Sequence, residues 1–222
     1  MLAAELIDPM IPALKPGDTV ADALDWMQEH HLTQLAVVDI NQYLGIVSED
    51  LLLNLPDDQR PIADVMRLAE GVFVLENQHL LEMIAQINEH RLDVLAVLNT
   101  ASEFMGTASA AELLRQFARD LAIQEAGAIL VLALDEQDYS MAEISRLVES
   151  NNVKIVSSYY SSAAYGMVDK SRLTLKLNRR DITAVVSTLE RFGYTIDAAF
   201  ASAPIDSIDQ ERLDALLRYL NT

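Results

Sequence analysis

Apolar positions in the first half of the chain recur in two periods, and each predicts an element. Val20, Ala23, Leu24 and Met27 keep the i, i+3, i+4, i+7 spacing of an amphipathic helix, predicted over 19–30 after the break at Pro16-Gly17-Asp18. β-Forming runs at 34–38 and 43–47 predict two strands, and a further helix is expected from residue 49. The same succession returns at an offset of 60. EHHLTQLAVV at 29–38 lies over EHRLDVLAVL at 89–98, and Leu80, Met83, Ile84 and Ile87 fall on the helical stripe of the first copy. Past the paired strands the offset becomes 61, because NTASEF at 99–104 is one residue longer than the matching turn. Gly45 then lies over Gly106, Ser48 over Ser109, and Leu52-Leu53 over Leu113-Leu114. LPDDQRP at 55–61 is the natural joint between copies. A copy of ~60 residues buries too little surface to be stable alone, so the two are expected to share a core.

The second half has another pattern. AILVLAL at 128–134 predicts a buried strand, and Ser140 with Glu143 is a capping-box signature ahead of Ile144, Leu147 and Val148 at helical spacing. VKIVSSYY at 153–160 is β-rich, and RLTLKLN at 172–178 alternates, with Leu173, Leu175 and Leu177 on one face. Ile182, Val185, Val186 and Leu189 mark a second helix that ends before Gly193, and YTIDAAF at 194–200 supplies a last strand. The order is βαββαβ, which predicts a four-stranded antiparallel sheet with both helices on one face. The tail from Asp206 reads as a short amphipathic helix with Leu213, Leu216, Leu217 and Leu220 on one side. The expected class is α+β, with repeats at 1–60 and 61–122, a ferredoxin-like domain at 126–202 and a C-terminal helix at 203–222.

Charge narrows the partners. Lys and Arg total 16 against 34 Asp and Glu, a formal charge of −18. Such a field repels nucleic acid and anionic membrane, so any nucleotide must be held by local amides and hydroxyls. With no cysteine, disulfides and thiolate metal sites are excluded. MLAAELIDPM carries acids where a signal peptide needs positive charge. The longest apolar run, AGAILVLAL at 126–134, falls short of the ~20 residues that span a bilayer. A soluble, cytoplasmic protein is expected.

Two helix–strand–strand–helix copies, each ending Gly-x-x-Ser before a helix, resemble a tandem pair of cystathionine-β-synthase (CBS) domains over residues 8–120. MIPALKPGDTVADAL, LTQLAVVD and LGIVSEDLL carry the resemblance in the first copy. The βαββαβ half resembles an ACT domain, and the combined order is similar to acetoin-utilisation-type proteins. The resemblance implies a non-catalytic regulatory protein that needs no cofactor. AMP, ADP, ATP or S-adenosylmethionine would be its regulatory ligand, a homodimer its assembly and a regulated protein its partner. The alternative is a structural dimerisation or docking module with empty clefts.

In nucleotide-binding CBS pairs the turn after the second strand reads Gly-apolar-x-Thr/Ser-x-x-Asp, the hydroxyl taking phosphate and the acid taking ribose. Here Ser48 fits, but Leu51 stands where the acid belongs, and Asp50 is turned ~100° away on the helix. The second copy keeps the spacing with Ser109 and Glu112. Both turns also read as plain helix caps, since Ser48 can cap its helix and Ser109 with Glu112 is a capping box. ACT ligand loops carry Asp-x-x-Gly; Asp135 matches, but Asp138 replaces the glycine and would repel an amino-acid carboxylate. His30, His31, His79 and His90 share no metal-ligand spacing and are expected at helix ends. Lys176, Arg179 and Arg180 form a local basic cluster read as a solvated turn, and SSYYSS at 157–162 as a sheet face. No serine has an adjacent histidine to activate it and no Walker-type loop is present, so no enzyme is expected.

Overall fold

The computed structural model describes residues 1–66, 71–135, 139–162 and 170–201. The chain divides into two compact units, Met1–Phe117 and Ala118–Thr222.

In the first unit the repeat becomes two hairpins with helices. Helix α1 (Val20–His30) is capped by Thr19, whose hydroxyl accepts the Asp22 N–H at 3.1 Å while its own N–H donates to the Asp22 carboxylate at 3.0 Å. Strands β1 (Gln34–Asp39) and β2 (Gln42–Ser48) pair antiparallel and lead into α2 (Glu49–Leu53). The second copy supplies β3 (Phe73–Leu75), α3 (Leu80–His90), β4 (Val94–Leu98), β5 (Phe104–Ser109) and α4 (Ala110–Asp120). Each hairpin bulges at the same place, at Val37/Val38 and at Val97/Leu98. Both α1 and α3 end in a left-handed residue, His31 and Arg91. Strand β3, parallel to β4, was not expected from the sequence. Glu76 N–H extends that pairing by donating to Leu98 O at 2.8 Å. At the matching place in copy one Pro16 has no N–H to give, and the contact shrinks to a single Leu14–Val37 bridge.

Each copy is opened by a segment that binds the other copy. Ala3 and Ala4 donate to Gln78 O and Glu76 O, while Ile62 and Ala63 donate to Asp18 O and Pro16 O. Tyr43 of the first copy stacks on Phe104 with ring centres 6.4 Å apart and donates to Val72 O. Ile46, also from the first copy, is buried in the cluster of Leu80, Met83, Leu95, Val97 and Leu113. This exchange gives a physical reason for two copies forming one unit: neither closes its own core.

In the second unit β6 (Ile129–Leu134), α5 (Met141–Glu149), β7 (Ile155–Ser161), β8 (Ser171–Leu177), α6 (Thr183–Arg191) and β9 (Thr195–Phe200) appear in the expected order. The sheet runs β7-β8-β6-β9, antiparallel throughout, as the ferredoxin-like arrangement requires. Leu130, Leu132, Leu134, Leu173, Leu175 and Leu177 form one apolar core with residues of α5 and α6, so both helices cover the same face. The fold is α+β. Ser140 caps α5 as expected, but Glu143 accepts from Tyr194 OH at 2.9 Å, so the box is realised from one side. The helix anticipated at 203–222 lies outside the described residues.

Hydrogen bonds from the Thr19 hydroxyl and N–H hold the Asp22 carboxyl below the usual carboxylate range. A depressed folded value means stability present above the unfolded pKa and lost as pH falls through the folded one. Thr19→Val removes the hydroxyl, so the Asp22 titration followed by carboxyl NMR should move up in pH.

Candidate functional site

The two strand-to-helix turns have one geometry. Gly45 (φ 146°) lies opposite Val37 and Gly106 (φ 157°) opposite Val97, each beside the bulge of its hairpin. Three residues on, Ser48 Oγ accepts from Leu51 N–H at 3.3 Å and Ser109 Oγ from Glu112 N–H at 3.2 Å. The first helical amides are also engaged, Glu49 N–H with Thr33 O and Ala110 N–H with Asp93 O, both at 2.8 Å. Of the first three amides in each helix, the first and third are therefore committed to the protein. An anion here would meet the second amide and the helix dipole.

The turns differ in the helices they open. Helix α2 has 5 residues and α4 has 11, so the second turn sits on the longer run of aligned peptide dipoles. Asn54 caps α2 and Pro56 cannot continue it. Asp50 is exposed, with its carbonyl accepting from Asn54, while the in-register Leu51 packs against the first-copy core. Glu112 is in register and pairs with Arg115 at 2.7 Å, which puts a guanidinium beside the in-register acid.

A polar junction that sequence reasoning missed joins the two turns. The Asp93 carboxylate accepts from the Thr33 N–H at 3.0 Å and closely from the Thr33 hydroxyl. Gln34 Oε1 accepts from Asp93 N–H at 2.8 Å, and Gln34 Nε2 donates to Arg91 O at 3.4 Å. Thr33 and Asp93 are 60 residues apart, the repeat offset itself, so they occupy one position in the two copies. A pair of equivalent positions in contact marks an approximate twofold axis. The signal was present as HLTQ over RLDV, polar residues at one repeat position ahead of two apolar strands. Through their carbonyls, Thr33 and Asp93 also hold the two turns.

In the second unit Asp135 directly follows β6 and pairs with Lys170 at 3.4 Å. It opens on a cleft of about 500 Å³ whose wall includes Ser140, Glu143, Gly193 and Tyr194. Asp138 lies outside the described residues. The four histidines sit at helix ends: His30 and His90 close α1 and α3, His31 is a C-cap and His79 caps α3 through Nδ1. Among the described residues no group of three or more His, Asp or Glu is placed to hold a metal. No described helix is long and apolar enough to cross a membrane.

Compared with family models, the first copy gives a match. Residues 3–57 match the CBS domain. Compared by sequence with curated proteins, the chain matches none. Among solved structures it is similar to a CBS domain pair/ACT domain protein from Thermotoga maritima, at 21% identity over 55% of this chain and 99% of that one, TM-score 0.49. A putative signal-transduction protein with CBS domains from Burkholderia ambifaria gives 26% identity over 54% and 96%, TM-score 0.45. CBSX2 in complex with AMP gives 20% identity over 53% and 96%, TM-score 0.46. The CBS match covers both Gly45 and Ser48 of the first turn.

Proposed function

We propose that the chain is a non-catalytic, ligand-sensing regulatory protein, in which the CBS-type pair takes an adenosine-containing nucleotide and the ACT-like unit passes the response to a protein partner. One observation carries this reading: a positive-φ glycine, a bulge and a serine at a helix start recur at equivalent places in both copies. Copy two is the stronger half. There Ser109 and the second amide of α4 face a phosphate, Arg115 supplies positive charge, and Glu112 turns from Arg115 to the ribose hydroxyls. Copy one keeps Ser48 and offers no acid in register, so it takes the phosphate end alone. The proposal includes a homodimer, and it keeps the likeness to acetoin-utilisation-type architecture.

A docking module with empty clefts is the second reading, favoured by one fact: both serines and Glu112 already have partners within the protein. Thermal unfolding separates the two. A ligand at a hundredfold excess over its dissociation constant stabilises the fold by about 2.7 kcal/mol. On the first reading AMP, ADP, ATP or S-adenosylmethionine at millimolar concentration raises the melting temperature; on the second, none does.

For the ACT-like unit, Asp135 held by Lys170 and the mixed charges of its cleft are compatible with a zwitterion. We nevertheless assign the unit to relay and assembly, because Asp138 puts a further negative charge in the loop where a glycine would admit a carboxylate.

A further inference from the structure

We infer that the open face of the second unit's sheet carries a binding site for an apolar monocarboxylate, seated on Ile129, Tyr159 and Thr174 with its charge at Lys176. The site is separate from the strand-to-helix turns and does not depend on the nucleotide reading.

Strand register puts the floor together. Ile129 lies beside Lys176, which lies beside Ser157, and Thr174 lies beside Tyr159, all on the face away from α5 and α6. The loop after α4 forms a wall over this floor. Its Leu121 carbonyl accepts from Ser157 Oγ at 2.8 Å, Ala122 takes a left-handed conformation (φ 51°), and Ile123 N–H returns to Ala118 O at 3.0 Å. Between wall and floor is a cavity of about 190 Å³. Apolar cavities of ~150 Å³ admit benzene, so this one takes a single ring or branched chain with a short tail.

Charge decides the tail. No carboxylate lines the cavity, in a chain whose formal charge is −18. Lys176 is the one cation in the lining and forms no ion pair among the described residues. Lys176 is half-buried, and a lysine stem can cover apolar surface with its ammonium kept in water. Tyr159 and Thr174 add hydroxyl donors. With no carboxylate to receive an ammonium, the cavity suits an acid without an amino group. An apolar pocket with a few convergent polar groups is the usual form of a small-molecule site.

The test titrates the full chain with 3-phenylpropionate, its neutral amide and phenylalanine, read by ligand-observed NMR and calorimetry. The acid should bind about tenfold or more tightly than the amide or phenylalanine, as a charge-assisted bond requires. Lys176→Met should remove that advantage and leave the amide unchanged. Thr174→Phe, which fills the cavity, should block both with the far-UV spectrum intact. Equal affinity of acid and amide, an acid that ignores Lys176→Met, or no binding of any probe would overturn the site. So would a dimer split by Ile129→Asp in a protein that takes up no probe, since a second copy would then be the occupant.

Discussion

Gly127→Ala should destabilise the second unit by about 3 kcal/mol, the upper end of the usual overpacking range. A Cβ built at Gly127 stands 1.9 Å from the Leu177 carbonyl oxygen and 3.1 Å from its carbon. These are backbone atoms, so no side-chain rotation relieves the overlap. The neighbouring bonds cannot give cheaply either, because Leu177 N–H donates to Ala128 O and Ala128 N–H to Arg179 O, both at 2.8 Å. Adding the methyl therefore prises the start of β6 from the end of β8 in the middle of the sheet. For a unit of this size each kcal/mol moves the melting temperature by roughly 4–8 °C, so calorimetry should show a fall of about 12–24 °C. Gly17→Ala is the control. Nothing lies within 4 Å of its added Cβ, and its effect should be neutral or slightly stabilising.

Gly106→Ala should have the next largest effect, about 2–3 kcal/mol in the first unit, for two separable reasons. Its φ of +157° is one that side-chain-bearing residues rarely adopt, and the new methyl would lie 2.4 Å from Ile7 Cγ2. Ile7 belongs to the opening segment that crosses to the second copy, where Asp8 N–H donates to Thr107 O at 2.9 Å. Shortening Ile7 to Ala should recover the part due to overlap and leave the part due to φ. Urea unfolding of the two single variants and the double should thus give a favourable coupling of about 0.5–2 kcal/mol. Simple additivity would mean that the exchanged segment does not set the packing at Gly106.

Local signals carried the fold well. The offset of 60, the helical stripes and the alternation at Leu173, Leu175 and Leu177 depend on neighbours along the chain, and each produced its element. Strand β3 was missed because three residues show no period, and its partner β4 lies some twenty residues away. The junction of Thr33 with Asp93 was missed for a different reason. An offset shows which positions are equivalent; it does not show which of them lies on the axis and touches its own image. At the candidate site the sequence located both serine turns, and the structure adds what surrounds them. Leu51 is taken up by a core, Glu112 by Arg115, and two of the first three amides of each helix by the protein itself. Those are tertiary facts that no spacing could supply. On the proposed reading they leave Glu112 of the second turn as the acid for a ribose, as its spacing had suggested.

Calorimetric titration of AMP into the full chain and into Ser109→Ala, Ser109→Thr and Ser48→Ala tests the regulatory reading most directly. Ser109→Thr keeps a hydroxyl and the cap, which separates loss of a ligand contact from loss of a helix end. The expected result is saturable binding that weakens about tenfold in Ser109→Ala, returns in Ser109→Thr and changes less in Ser48→Ala. Binding that is absent from the wild-type chain, or indifferent to Ser109→Ala, would contradict it.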